Sequence, residues 1–442
     1  MQAGQVGIGF RRELAADLLA HREAVDFVEV VAESCYVDDD ARREVLALRD
    51  VWPVALHGVK LSLGSAAGFD EERAAKLGAL ARALSAPIVS EHVALTHAGG
   101  REIGHLTALP STRETVRVVA RNVEATRRHL PDVPFLLENV ARTVAFADDA
   151  LSEGEFCAEI AEATGAPLLL DVANLYANAR NAGLDPLAEL GRFPLERVAM
   201  IHVAGGLLDG GFYYDTHAHA LPEDVLVLTA AVLAHTDAPV LIERDDRFPP
   251  FAELAAELAS LRDLPRGRGR PALPRPPSVI DDRPATELAA RQSALAAALV
   301  DDAAALLEGV VGIERTRAVL LGKRVDDALP LLPRLALRRA EVEPLVRERV
   351  GGWPRPRERV GIADALRIGE ACREVPALAD DAARDLLVLR ARFVGPDADG
   401  EVHPRRGPYV GRVALGGRSQ WVMKGLGSRA PVRILSSRGQ TR

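Results

Sequence analysis

Several residue types that would announce a simple identity are scarce in this chain. Aromatics make up 4% of its 442 residues, and methionine and cysteine number 3 each. Cys35, Cys157 and Cys372 lie far apart and form no CxxC pair, which argues against a thiolate zinc site and a disulfide framework. No apolar run reaches the roughly 18 residues of a membrane helix. The opening MQAGQVGIGF lacks the basic and apolar stretches of a secretion signal, so the expected compartment is the reducing cytoplasm. No GxGxxG or GxxxxGK[ST] loop follows an apolar run, which counts against a nucleotide-binding sheet. A net charge of −8 is mild for this length and names no partner.

What is present is a rhythm. In residues 1–263 a short apolar or β-branched run is followed, again and again, by a charged, Ala/Leu-rich amphipathic stretch. This pattern predicts an α/β fold of parallel strands joined by helices. Eight strands are expected: Val6–Phe10, Phe27–Ala32, Pro53–Val59, Ile88–Ala94, Phe135–Val140, Leu168–Ala173, Val198–Ala204 and Val240–Asp245. Helical patterns cover Glu71–Leu84, Thr112–His129, Glu153–Thr164 and Glu223–His235. Eight such units in about 250 residues have the size of a TIM (β/α)8 barrel, with a doubly wound open sheet as the alternative. Residues 264–284 are rich in proline and arginine and read as a linker. Residues 285–395 carry helical spacing, and 396–442 form a Gly/Arg-rich, β-like tail. From Val402 onward there are eight arginines, one lysine and no acidic residue.

The chemistry collects at the strand ends. Successive runs close on His57, on Glu91-His92, on Glu138-Asn139, on Asp171 with Asn174, on His202, and on Glu243-Arg244-Asp245. Asp215 and His217 follow in a Gly-rich segment, with His219 beyond. Each has an ordinary reading when taken alone: His57 as a loop hydrogen-bonder, Asp171 and Asn174 as helix caps, Asp215-Thr-His217 as a polar turn. Repetition on consecutive strands changes the balance, because a barrel gathers its strand ends at one mouth. Carboxylates brought together there without cations would repel one another strongly. Two or three metal ions would offset that repulsion, and donors of oxygen and nitrogen without sulfur suit Fe, Mn or Zn. His97, His105, His129, His235 and His403 are expected on the surface.

At these residues the sequence resembles the DUF692 family of multinuclear non-heme iron-dependent oxidative enzymes, known from methanobactin biosynthesis and related peptide pathways. The likeness runs from Gly7-Ile-Gly-Phe10 to about Arg262. Its marks are Phe27-Val-Glu29-Val with Glu33, His57-Gly58, Glu91-His92, Leu137-Glu138-Asn139, Leu170-Asp171-Val-Ala-Asn174-Leu-Tyr176, Ile201-His202-Val-Ala-Gly205, Asp215-Thr-His217 and Glu243-Arg-Asp245. The resemblance implies three ligand sets: His57, His92 and a bridging Glu138; Asp171, His202 and Glu243; and Asn174, Asp215 and His217 around a more labile iron. Glu33, Glu91, Asn139, Arg244 and Asp245 would support them. It implies two or three irons of mixed valence, dioxygen as co-substrate, and oxidation of a ribosomally made precursor peptide, typically at cysteine. The chain departs from its relatives at Gly206, at Arg142-Thr143 and at Leu106–Pro110, positions that line the pocket and leave the substrate open.

The likeness is silent on residues 285–442. They are read as a module that replaces a separate recognition partner and grips an acidic leader peptide through the basic tail; an unstructured basic tail is the alternative. With only Tyr409 and Trp421 to stack on bases in that tail, nucleic acid is not the expected partner. Neither is a membrane. The competing functions are a metal-dependent hydrolase or isomerase on an endonuclease IV-like or xylose isomerase-like barrel, and a non-catalytic binding or assembly protein.

Overall fold

The computed structural model describes residues 4–36, 39–267, 283–301, 307–349, 352–415 and 418–438. The described residues fall into two compact units, one within 1–99, 105–294 and 307–312, the other within 100–104, 295–306 and 313–442.

The first unit is a closed barrel of eight parallel strands. They are β1 (Val6–Gly9), β2 (Phe27–Val31), β3 (Val54–Gly58), β4 (Val89–His92), β5 (Phe135–Glu138), β6 (Leu168–Asp171), β7 (Val198–Val203) and β8 (Val240–Ile242). Each pairs with its neighbour in sequence, and β8 closes onto β1 with Val6 opposite Val240. The strands are buried on both faces, as a barrel ringed by helices requires. Val28, Leu56, Leu137, Leu170, Ile201 and Ile242 are fully buried on one face. On the other, Phe27, Ala55, Ile88, Leu136, Leu169, Met200 and Leu241 pack together as an apolar floor inside the barrel. Gly7 is needed beside that floor, since a Cβ there would lie 2.5 Å from the Phe27 ring.

The floor fixes what stands above it. Side chains two residues apart share a strand face. Two residues beyond Phe27, Ala55, Leu136, Leu169, Met200 and Leu241 come Glu29, His57, Glu138, Asp171, His202 and Glu243, all buried. One layer is apolar and the next, toward the C-terminal mouth, is a ring of donors.

The strands start within a residue of expectation and end earlier. Leu168–Ala173 was expected extended, but Asp171 caps a helix that begins at Val172, so the last two apolar residues are helical. Two antiparallel hairpins rise beyond strand ends, Leu95–Ala98 with Arg101–Thr107, and Gly205–Asp209 with Phe212–His219. The second was read as a Gly-rich segment without strands. Its turn is Gly210-Gly211, both at positive φ, which suits a two-residue hairpin connection.

The linker expected at 264–284 falls mostly outside the described residues. Beyond it, the helix Thr286–Val300 begins in the barrel unit. Ala285 and Leu288 pack on Ala66 and Val118, and Gln292 bonds the backbone of Gly64 and Ala66. The second unit holds the helices Ile313–Ala328, Arg339–Arg349, Val360–Arg373 and Ala379–Arg392 around a shared apolar core. Its end is an antiparallel sheet of β9 (Tyr409–Leu415), β10 (Arg418–Lys424) and β11 (Val432–Arg438). Val422 of that sheet packs on Leu387 and Ala391 of the last helix. No helix among the described residues is long and apolar enough to cross a membrane.

Candidate metal centre

The ring of donors at the barrel mouth resolves into four overlapping groups: His57, His92 and Glu138; Glu138, Asp171, His202 and Glu243; Glu29, His57 and Glu243; and Asp171, Asp215 and His217. Within each group the candidate ligand atoms lie within 4.8 Å of one another. Glu138 is common to the first two and Asp171 links the second to the last, so the cluster is continuous. The Glu138 carboxylate stands 3.3 Å from His57 Nε2, 3.1 Å from His92 Nε2 and 3.2 Å from His202 Nδ1. Glu243 stands 3.4 Å from His202 Nδ1 and 3.2 Å from His217 Nδ1.

Several donors are held at one end by the fold and left open at the other. His57 Nδ1 is 2.8 Å from Ser90 Oγ, which leaves Nε2 for the centre. His92 Nδ1 faces the Gly58 carbonyl at 3.3 Å. Asp171 does cap its helix, Oδ1 accepting from Asn174 N at 2.8 Å, while Oδ2 is buried with no hydrogen bond. Asn174 donates Nδ2 to the Asn139 carbonyl, and its Oδ1 is likewise unpaired. Both oxygens of Glu138, Glu29 Oε2, Asp215 Oδ1 and both nitrogens of His202 are buried without a hydrogen-bond partner. An unsatisfied buried polar group costs about 1–3 kcal/mol, and such groups are rare in native folds. So many in one pocket, all nitrogen and oxygen, fit a set of cations; the residues present suit the irons that the family resemblance implies and equally other ions of that class.

The protonation pattern points the same way. Burial, with Asp215 and Glu138 nearby, pushes the Asp171 carboxyl well above the usual range. Burial works against charge on His202, yet Glu29, Glu243 and Glu138 together hold its pKa well above the ordinary value. Burial likewise opposes charge on His217, and Asp215 and Glu243 outweigh it. Glu243 is also desolvated, but His202 and His217 pull it well below the usual carboxylate range. His92, with burial dominant, falls to about 4.

The outermost group is the most exposed. His217 is 17% exposed, whereas His202 is fully buried. His217 adopts φ 51, a left-handed conformation that costs about 1–3 kcal/mol and is held here by a bond from Asp245 N to its carbonyl.

Among the supporting residues, Asn139 bonds both backbone groups of Asp171 and donates Nδ2 to Glu153. Glu33 accepts from Val59 N, and Glu91 from Leu61 N and His92 N, which fixes the loop after β3 and the strand end of β4. Asp245 pairs with Arg11 and lies 3.6 Å from His217. Arg244 points elsewhere: strand alternation turns it to Glu257 at 3.0 Å, away from the donors. His219 contacts Thr216 and Arg247 instead of the cluster. His235 and His403 are exposed, and His97, His105 and His129 are half-buried outside these groups. Sequence reasoning passed over Glu29 as a donor. In Phe-Val-Glu-Val-Val it looks like the outward residue of a half-exposed strand; its position two residues after Phe27 was the available signal.

Fold and donors together define a class, that of closed (β/α)8 barrels with a continuous set of nitrogen and oxygen donors at the strand ends that could hold metal ions. Within that class the sequence profile of the RiPP precursor modification enzymes MbnB/TglH/ChrH matches residues 5–266, and the chain belongs to this family. A UPF0276 protein of Streptomyces avermitilis is 35% identical over 385 residues, 84% of this chain and 77% of the relative. One from Caulobacter vibrioides is 39% identical over 266 residues, 59% of this chain and 93% of the relative. Among solved structures, endonuclease IV from Thermus thermophilus aligns over 59% of this chain and 99% of its own, at 21% identity and a TM-score of 0.40. An L-ribulose 3-epimerase aligns over 58% of this chain and 91% of its own, at 17% identity and a TM-score of 0.36.

Proposed function

We propose that this chain is an iron- and dioxygen-dependent oxidoreductase that modifies a ribosomally made precursor peptide at cysteine. The observation that carries the reading is the continuous cluster of buried, unpaired oxygen and nitrogen donors above an apolar floor. His57, His92 and Glu138 would hold one iron, Asp171, His202 and Glu243 a second, and Asn174, Asp215 and His217 a third. When bound, mixed-valence irons supply the dioxygen chemistry and a site for the cysteine thiolate.

The chain's own residues do the rest. The floor of Phe27, Leu136, Leu169, Met200 and Leu241 keeps water out from below. Glu138 faces two groups at once and sets their separation. Asn139 and Asn174 hold Asp171 so that its free oxygen faces the centre. Asp215 and His217, on the outer hairpin, lie where the peptide arrives, and Asp245 beside them can take a proton from a cysteine thiol. Burial works against charge on Asp245, but the bond from His217 and the Arg11 guanidinium hold its carboxyl below the usual range.

For the peptide leader we assign the basic tail. The last strand, β11, pairs on one side with β10, and no strand among the described residues pairs with its other edge. Ile434 and Leu435 on it are each 52% exposed, and Arg433 beside them is exposed. An acidic peptide adding as a further strand would cover the edge and meet the arginines. The reaction is assigned to the cytoplasm, where the three free, buried cysteines stay reduced.

Two measurements test the reading: iron content of the purified chain, and a dioxygen-dependent mass change in a Cys-containing precursor peptide encoded beside it. We expect two or three irons and a mass change under air but not under argon. Zinc without iron, or no mass change after iron loading, would refute the oxidase.

A further inference from the structure

Glu29 belongs to none of the ligand sets above, yet it is inside the cluster. It lies in the middle of β2, between Gly9 of β1 and Ala55 of β3, and is 3% exposed. Its backbone is used, the carbonyl accepting from Phe10 N at 2.7 Å. Its side chain is not: Oε2 is buried without a hydrogen bond and stands 3.3 Å from His202 Nε2.

His202 is the donor most in need of orientation. It is fully buried, and neither ring nitrogen has a hydrogen bond. Nδ1 faces Glu138 and Glu243, the carboxylates it shares a group with. Nε2 faces Glu29. A neutral imidazole can give one lone pair to a cation only if its proton sits on the other nitrogen, and in a dry pocket that proton needs an acceptor. Metal-ligating histidines nearly always meet this need with a carboxylate or carbonyl behind the ring.

We infer that Glu29 is the positioning residue of the centre: it accepts the Nε2 proton of His202, fixes the tautomer and ring orientation, and so presents Nδ1 to a metal between Glu138 and Glu243. The rival role is direct ligation, since Glu29 also falls within reach of His57 and Glu243. The two roles differ in what a substitution removes. A glutamine at this position still offers a carbonyl oxygen to Nε2–H but no charge, whereas alanine offers nothing.

This inference rests on the metal-centre reading, and its test separates the two. Metal-free full-length chain, E29Q and E29A are titrated with Co²⁺ against a competing chelator, while visible absorption reports the donor set and thermal unfolding reports the fold. Positioning predicts an affinity loss of about 10- to 100-fold in E29A and less in E29Q, with the parent's stoichiometry at saturation and unshifted cobalt bands in E29Q. E29Q is nearly isosteric and carries the test if E29A unfolds. Parent-like affinity in both variants overturns the inference, as does the loss of one metal equivalent with shifted bands, which would make Glu29 a ligand. A parent chain that binds no cobalt and no iron overturns the metal centre itself.

Discussion

The two units of this chain bury charge in opposite ways. In the second unit Asp364 is fully buried, and both its oxygens are taken by Arg324, at 2.8 and 2.7 Å. Asp385, also buried, accepts from the backbone of Arg334 and Leu335 and from the Arg334 guanidinium. In the barrel, Glu138 and Asp171 are as deeply buried, yet three of their four oxygens have no hydrogen bond. The same fold-level cost is met by hydrogen bonds in one case and left without them in the other, among imidazoles and carboxylates that could hold metal ions. Burial of a charge is therefore a poor guide to function, and the number of bonds the fold declines to make is a better one.

The comparison breaks most visibly at Glu138. Replacing it with alanine removes the carboxylate shared by two groups. We expect peptide modification to fall below detection and metal affinity to fall by more than the roughly 10–100-fold that losing an outer partner costs. The metal-free variant should lose a little urea resistance, well short of the cost of breaking a fully bonded buried pair: burial works against the Glu138 carboxylate, but His92, His202 and His57 outweigh it and hold its pKa below the usual range. Metal analysis with urea unfolding in a chelator checks both halves; a strongly destabilised metal-free variant would mean that Glu138 is structural like Asp364.

Asp364→Ala is the mirror experiment. It removes the carboxylate that takes two bonds from the buried Arg324 guanidinium and should cost about 3–5 kcal/mol, while metal content of the chain that remains folded stays at the parental value. The double replacement D364L with R324M should recover most of the loss, as for buried pairs exchanged for apolar residues. Unchanged urea resistance in D364A would show that the pair contributes nothing.

The contrast also explains which parts of the molecule were readable in the sequence. The eight strands were legible because both faces are buried, giving unbroken apolar runs. Six of the candidate donors, His57, His92, Glu138, Asp171, His202 and Glu243, were legible because each ends such a run. Strand ends were less so: Val172-Ala173 are apolar whether extended or helical, and only the cap made by Asp171 decides. Glu29 was hidden for a different reason. It sits inside its run, where alternation with valines mimics a solvent-facing position, and inward direction is a property of the closed barrel. The first turns of the helix Thr286–Val300 were assigned to the C-terminal region because an Ala/Leu-rich face does not say which core it covers. The arginine-rich tail was legible as strands, since Tyr409–Leu415 alternates on a sheet face against Leu387 and Ala391.

Glu153 lies between the two cases and gives the smallest effect. Its oxygens accept from Asn139 and Asn178 at 2.9 Å each, so it is bonded, but by neutral groups. Burial therefore prevails over those bonds and lifts its pKa from 4.5 to about 6. The folded chain then holds this proton more tightly than the unfolded one. Below pH 4.5 both states are protonated and Glu153 costs nothing; as pH rises through 4.5 to 6 the unfolded state ionises first and the fold loses stability, by on the order of 1–2 kcal/mol above pH 6. Glu153→Gln should remove that slope while adding a pH-independent cost of about 1 kcal/mol, because an amide cannot accept from both asparagines. Urea unfolding of the metal-free parent and variant from pH 4 to 7 should give curves that approach each other as pH rises. Parallel curves would mean that Asn139 and Asn178 neutralise the burial cost after all, and Glu153 would then join Asp364 among the charges the fold fully provides for.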